Sequence, residues 1–321
     1  MRTEPGISAQ AIRARPKSAS RLRSRLLRNW QLYVLLGLPI LYLILFKYTP
    51  MYGVQIAFKN FIATKGISGS EWVGVKQFVR FFNSYEFTRL MTNTLVLSVY
   101  SLVASFPFPI ILALSLNYVK GKRFKSFAQM VTYAPHFISV VVMVGLIVTL
   151  LDSRTGLIGN GLSKVVGESV NIMGKPEWFK SIYVWSGIWQ NVGFSCIVYL
   201  AALSAIDPAL HEAAVVDGAS KLRRIWHIDL PGILPVAIIM LILNTGHVLD
   251  VGFEKVLLLQ NPLNLRTSEV IDTYVYKVGL ASQAVNYSYS TAIGLFKSAI
   301  NLVLLVAVNQ IARKTKQVSL W

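Results

Sequence analysis

The sequence predicts an all-α integral membrane protein of six transmembrane helices with both termini in the cytoplasm. Three observations predict it. Of 321 residues, 54% are apolar and only 14% charged, against a charged share of about a quarter in soluble domains. Residues 29–46, 90–119, 126–151, 181–206, 230–249 and 278–296 each continue for at least 18 positions without Asp, Glu, Lys or Arg, and a helix needs roughly 20 residues to cross about 30 Å of hydrocarbon. The net charge of +18 is also placed unevenly. Arg2, Arg13, Arg15, Lys17, Arg21, Arg23, Arg25 and Arg28 precede the first run, Lys120, Lys122, Arg123 and Lys125 separate the second from the third, and Arg313, Lys314 and Lys316 follow the last. Short basic flanks stay in the cytoplasm. Nucleic-acid binding, another use of such charge, lacks an aromatic or glycine-rich reading motif here.

Residues 1–29 read as a basic cytoplasmic tail, disordered or lying on anionic lipid. The long apolar run after it, with Pro39 and no small-residue cleavage site, is not expected to be a cleavable signal. Span one is expected at 30–48, with Trp30, Tyr33 and Tyr48 as interfacial anchors. The outer segment 49–89 suits either an interfacial helix or a loop packed on the bundle. Span two, 91–118, carries Pro107 and Pro109, and span three, 127–150, carries Pro135; kinks of this kind are tolerated when neighbours re-satisfy the backbone. A glycine-rich outer loop, 152–180, leads to span four at 181–204. Spans five and six are expected at 233–252 and 291–311, around an aromatic outer loop at 253–290 with Tyr274, Tyr276, Tyr287 and Tyr289. Residues 30–321 thus read as one transmembrane domain. The single Cys196 excludes an intrachain disulfide, and the four histidines have no metal-ligand spacing, so no catalytic or metal site is expected.

The inner segment 207–231 holds the most specific signal. Asp207 can cap a helix whose first residue is Pro208. Gly218 can end it in the left-handed region, Ser220 can cap a second short helix, and Pro231 is expected to stop that one at the membrane. Ala213 and Ala214 form a shallow surface for another protein to approach, with the charge of Glu212 beside it.

Glu212, Ala213, Ala214, Asp217 and Gly218, followed by Ile228, Leu230 and Pro231, resemble the cytoplasmic E-A-A…G…I-x-L-P signature of binding-protein-dependent ABC importer permeases. The likeness extends from about residue 30 to the end of the chain. Tyr48-Thr-Pro50-Met-Tyr52-Gly53 with Ala57-Phe58-Lys59, Ala134-Pro135-His136 with Ser139, and Asp152 with Gly156-Leu157-Ile158 are similar to carbohydrate-uptake permeases of the maltose-transporter type, closest to the LplB and YteP kind for complex oligosaccharides. The resemblance implies the type I ABC importer permease fold. It also implies a coupling helix in 207–231 that docks through Glu212 in a cleft of an ATP-hydrolysing subunit. No G-x-x-x-x-G-K-[ST] occurs in the chain, so it is not expected to cradle ATP phosphates. The implied partners are a second homologous permease, two ATPase subunits that use ATP and Mg, an extracytoplasmic sugar-binding protein and the lipid bilayer.

Polar groups inside spans are costly and tend to face protein or water. Candidates for a sugar path are His136 and Ser139 in span three, Trp189, Gln190 and Asn191 in span four, and Asn244, His247 and Asp250 in span five. Trp185 and Trp189 share one helix face for stacking on a sugar. The other reading has Trp185 anchoring at the interface and the amides tying helices together. Lys297 in span six either snorkels to the outer interface or attracts an acidic sugar such as a uronate. Rival assignments are an ABC permease for a non-sugar solute, an ion-coupled secondary transporter, which would want paired acids at mid-membrane depth, and a membrane sensor without transport.

Overall fold

The computed structural model describes residues 28–314, so residues 1–27 of the expected tail and Lys316 lie outside the described residues. The chain divides into two compact units at Gln55/Ile56. The first contains most of helix α1, Trp30–Phe58. It is longer than the expected 30–48, and Lys47 is its one charge. A wide π turn over Ile44–Tyr48 comes just before Pro50. Such a turn shifts the hydrogen-bond register where the proline offers no donor.

In the second unit the outer segment becomes a short antiparallel hairpin, β1 (Lys59–Asn60) with β2 (Glu71–Trp72), and helix α2 (Lys76–Phe82). Phe58 stacks on Trp72 across the hairpin, 5.7 Å between ring centroids. Span two is α3 (Glu86–Tyr118). The helix is interrupted at Phe106, and Pro107 opens its second stretch, Pro107–Tyr118, where no backbone donor is needed.

Span three departs from a single helix. It is a pair, α4 (Lys122–Phe137) and α5 (Val140–Leu151), bent by 99°. Pro135 tightens the end of α4 into a 3₁₀ turn. Ser139 then starts a new helix, its side chain accepting from the Val142 N–H at 3.3 Å. Gln190 Nε2 donates to the Ile138 carbonyl freed at the break, at 2.9 Å, which is how a membrane bundle re-satisfies an interrupted helix.

The glycine-rich loop folds as α6 (Leu157–Val166). Gly156 and Gly159 lie so close to the backbone of 149–152 that a Cβ at either would collide with carbonyls there. Asp152 Oδ1 accepts from the Thr155 N–H, the Thr155 hydroxyl and the Arg154 N–H, bonds that hold its carboxyl below the usual carboxylate range. Span four is α7 (Pro176–Ser204). The inner segment forms α8 (Pro208–Val216). Span five, α9 (Lys221–Gly246), begins earlier and ends earlier than expected. Pro231 does not stop a helix: a π turn at Ile225–Asp229 precedes it and α9 runs through. The chain leaves α9 at Gly246, so Asp250 lies beyond the span. The aromatic outer loop is largely helical, with α10 (Phe253–Leu259), α11 (Leu265–Ser268) and α12 (Ile271–Tyr276) before span six, α13 (Tyr287–Lys314). With the bent pair counted as one, six segments are long and apolar enough to cross a membrane.

Three clusters hold this unit together. Leu97, Val144, Phe179, Ile188, Val256 and Leu259 join α3, α5 and α7 to α10. Ala113, Cys196, Tyr199, Ile233 and Ala237 join the inner halves of α3, α7 and α9. Phe81, Leu90, Ile271, Tyr289 and Ile293 pack α2 and α12 against α3 and α13. Close helix approach depends on small residues, as membrane packing requires: a Cβ at Gly193 of α7 would collide with the Thr132 carbonyl of α4.

Candidate transport cavity and coupling segment

The break in span three opens a cavity of about 750 Å³ bounded by α3, α4, α5, α7, the end of α9 and α10. Seven of the expected path residues line it: His136, Ser139, Gln190, Asn191, Asn244, His247 and Asp250. The His136 ring stacks on Phe194, with centroids 4.0 Å apart and planes 5° from parallel. Its Nδ1 lies 3.0 Å from Asn191 Oδ1, and Asn191 Nδ2 donates to the Gly187 carbonyl at 3.0 Å. An imidazole and two amides are thus positioned by bonds to one another and to the backbone, as a site for hydroxyl-rich ligands needs.

Three expected residues, Trp189, Trp185 and Lys297, lie elsewhere. Trp189 is half exposed and does not line the cavity. Trp185 donates from Nε1 to the Tyr100 hydroxyl at 3.0 Å and meets Phe108 edge-on, so the two tryptophans form no stacking platform in the cavity. Lys297 neither snorkels nor faces the cavity. It is buried, with Nζ 2.6 Å from Asp272 Oδ1 and 2.7 Å from Asp250 Oδ1. The physical reason is local: two carboxylates at the outer end of the bundle supply the counter-charge that a buried ammonium needs. Burial opposes the charge on Asp250, but Lys297 and His247 outweigh it and hold its carboxyl below the usual range.

Sequence reasoning missed Ser98, Ser101 and Ser105, which line the cavity from α3. Their i, i+3, i+7 spacing marks one helix face, a signal that was available. It also missed Lys255 of α10, buried against α7 with Nζ donating to the Tyr183 carbonyl at 2.7 Å. Burial pushes that ammonium down to about 8.

The inner segment is a second site, built largely from its own caps. Asp207 Oδ1 accepts from the Ala209 N–H at 2.9 Å. Gly218 takes φ +74°, and the Ala219 N–H reaches the Ala214 carbonyl at 2.8 Å. Ser220 Oγ accepts from the Arg223 N–H at 3.4 Å. Glu212, Ala213 and Asp217 are exposed, and Ala214 is half-buried. Leu210, Val216, Leu222 and Trp226 add exposed apolar surface around them. Ile228 and Leu230 are half-buried and Pro231 is exposed in α9. Between them Asp229 is fully buried. It accepts from the Tyr118 hydroxyl at 2.7 Å and faces His211 Nε2 at 3.3 Å, contacts that no motif announced. Among the described residues no group of three or more His, Cys, Asp or Glu could hold a metal ion.

The family model described as binding-protein-dependent transport system inner membrane component matches residues 105–317. The polygalacturonan/rhamnogalacturonan transport system permease protein YteP of Bacillus subtilis (strain 168) is 44% identical over 307 residues, 96% of this chain and 95% of that protein. A solved chain of a bacterial ABC transporter involved in import of the acidic polysaccharide alginate is 42% identical, with a TM-score of 0.83 over 92% of this chain and 99% of that one. The bacterial alginate ABC transporter in complex with an alginate pentasaccharide-bound periplasmic protein superposes with a TM-score of 0.84 at 41% identity, over 94% of this chain and all of the other.

Proposed function

The chain belongs to the family of binding-protein-dependent transport system inner membrane components, and from that membership we propose that it is one permease subunit of an ATP-driven importer of acidic oligosaccharides in the cell membrane. Polygalacturonan and alginate, the substrates of the relatives, support the class of sugar. A cavity lined by serines, amides and imidazole rather than by paired acids supports a sugar over a coupling ion. The periplasmic partner of the alginate transporter supports an extracytoplasmic binding protein as donor.

The observation that carries the reading is the exposed Glu212–Ala213 face on a helix whose His211 meets Asp229 of α9, the carboxylate that in turn bonds Tyr118 of α3. A contact there can be pushed from outside and transmit the push to two spans. Two ATPase subunits bind ATP and Mg and supply the stroke. A second, homologous permease completes the pathway, because six helices enclose half of one. When the ATPases close, 207–231 moves with them and the cavity exchanges access from one side to the other.

The test uses the assembled complex in proteoliposomes. Glu212→Lys places a cation in the docking face. It is expected to lower binding-protein-stimulated ATP hydrolysis and import together by about tenfold or more, the range for disrupting a charge contact at an interface. Wild-type rates in that variant would remove the coupling role.

A further inference from the structure

Four charged side chains are buried among the described residues: Asp229, Lys255, Glu269 and Lys297. Three face an opposite charge or a group that can take one: Glu269 takes both Arg89 and Lys277, Lys297 lies between Asp250 and Asp272, and Asp229 faces His211, a counter-charge when that ring is protonated. Lys255 has no carboxylate within 4.0 Å among the described residues. A buried ammonium without an anion is expensive, and in a membrane bundle it marks a site that meets a ligand.

Its surroundings are arranged around the ammonium. The stem of Lys255 lies in the wall of the cavity, and Nζ enters a slot beside Gly187, where a Cβ would stand only 3.1 Å from it. The Tyr183 carbonyl accepts one N–H at 2.7 Å, and the Tyr183 ring lies 4.5 Å from Nζ, face-on to the charge. An ammonium has three donors, so the carbonyl leaves two for a ligand. Tyr183 is itself fixed, its hydroxyl donating to the Val251 carbonyl at 2.6 Å. In the same cavity wall the hydroxyls of Ser98 and Ser101 are buried without a partner, a pair of donors and acceptors suited to sugar hydroxyls.

The cavity therefore offers one unneutralised cation and unpaired hydroxyls, while its one carboxylate, Asp250, is already engaged by Lys297 and His247. We propose that Lys255 is the specificity-determining residue of the cavity, receiving the carboxylate of a uronate unit while Ser98 and Ser101 take hydroxyls of the same sugar. This rests on the reading of the chain as an oligosaccharide permease and deepens it. A neutral sugar leaves the ammonium without an anion; a uronate supplies one, and a compact ammonium accepts a carboxylate from several directions as the chain slides past. Selection for acidic sugars is thus built into the membrane path and does not depend on the binding protein alone.

The test is import by the assembled complex in proteoliposomes of a uronate trisaccharide and of the same trisaccharide with its carboxyls reduced to alcohols. Each is loaded to saturation on the binding protein. The readout is the ratio of the two import rates, which a merely destabilised protein leaves unchanged. Lys255→Gln is expected to lower the acid-to-neutral ratio by about tenfold or more, the usual consequence of removing a charge-assisted hydrogen bond, and Lys255→Arg to retain more than half of it. Gly187→Ala, which crowds Nζ without removing the charge, is expected to lower the ratio by a smaller factor and decides the matter if Lys255→Gln does not assemble. An unchanged ratio in Lys255→Gln, or in Gly187→Ala when Lys255→Gln yields no complex, overturns the role of Lys255 while leaving the importer reading intact. Wild-type complex that imports neither sugar overturns both.

Discussion

His211 of α8 and Asp229 of α9 lie face to face, Nε2 3.3 Å from Oδ1, with the carboxylate fully buried. The other oxygen of Asp229 accepts from Tyr118, the last residue of α3, at 2.7 Å, and the Arg224 guanidinium lies 5.6 Å from the Tyr118 ring centroid. One carboxylate thus stands between α8 and two spans. That chain of contacts is a route by which a displacement of α8 would reach α3 and α9.

Replacing Asp229 with Ala is therefore expected to disconnect the stroke from the bundle. It removes both contacts and orphans the Tyr118 hydroxyl, a cost on the order of 1–3 kcal/mol. In the assembled complex, ATP hydrolysis should persist while sugar imported per ATP falls by at least about threefold. Import per ATP equal to wild type would show that α8 drives the spans by another route.

Gly218→Ala isolates the turn. A Cβ there meets nothing within 4 Å, so the cost is that of φ +74° in a residue with a side chain, about 1–2 kcal/mol. Gly218→Asn should recover part of it, since Asn tolerates the left-handed region. Thermal denaturation of the purified complex measures both, and equal melting temperatures for glycine and alanine would contradict the assignment.

The Asp250–Lys297–Asp272 cluster makes a prediction about charge. Lys297→Met leaves two carboxylates together at the outer end of the bundle and should destabilise by on the order of 3–5 kcal/mol. Adding Asp272→Asn should recover a measurable part. Because Lys297 neutralises Asp250, which lines the cavity, freeing that carboxylate should also lower the acid-to-neutral import ratio in whatever fraction assembles.

Lys255 adds a pH dependence whose sign is fixed. Burial holds its ammonium down to about 8, and uronate carboxylates stay ionised well above about pH 4. The attractive pair exists below the ammonium's pKa and is lost as pH rises through it. His136, His247 and Asp250 share the cavity, and Asp250, held low by Lys297 and His247 against the effect of burial, does not titrate in that window. The acid-to-neutral import ratio should therefore fall between about pH 7 and about pH 9. A flat ratio over that range would contradict it.

How far the sequence alone led depends on the kind of signal. The local geometry of 207–220 was legible residue by residue because caps, a preset proline and a left-handed glycine are local choices, and Asp207, Pro208, Gly218 and Ser220 each stand in the geometry their chemistry dictates. Spans were legible from hydropathy, but their ends and bends were not. Whether a proline stops a helix depends on the turn before it: the π turn at Ile225–Asp229 lets α9 continue through Pro231, while Ser139, ready to cap, turns the Pro135 region into a 99° break. Lys297 was misread because its two carboxylates come from 25 and 47 residues away in the chain. Lys255 escaped notice for the converse reason: one lysine in a mostly apolar stretch says nothing until Gly187 and Tyr183 are seen around it.

The account turns on whether 207–231 is the contact through which a separate ATPase moves this bundle. A photocrosslinking residue at position 213 or 214, illuminated in intact membranes of an importing strain, tests it directly. The expected result is a covalent product with an ATP-hydrolysing subunit whose yield changes when ATP is depleted. An importing strain in which neither position ever captures an ATPase would contradict it.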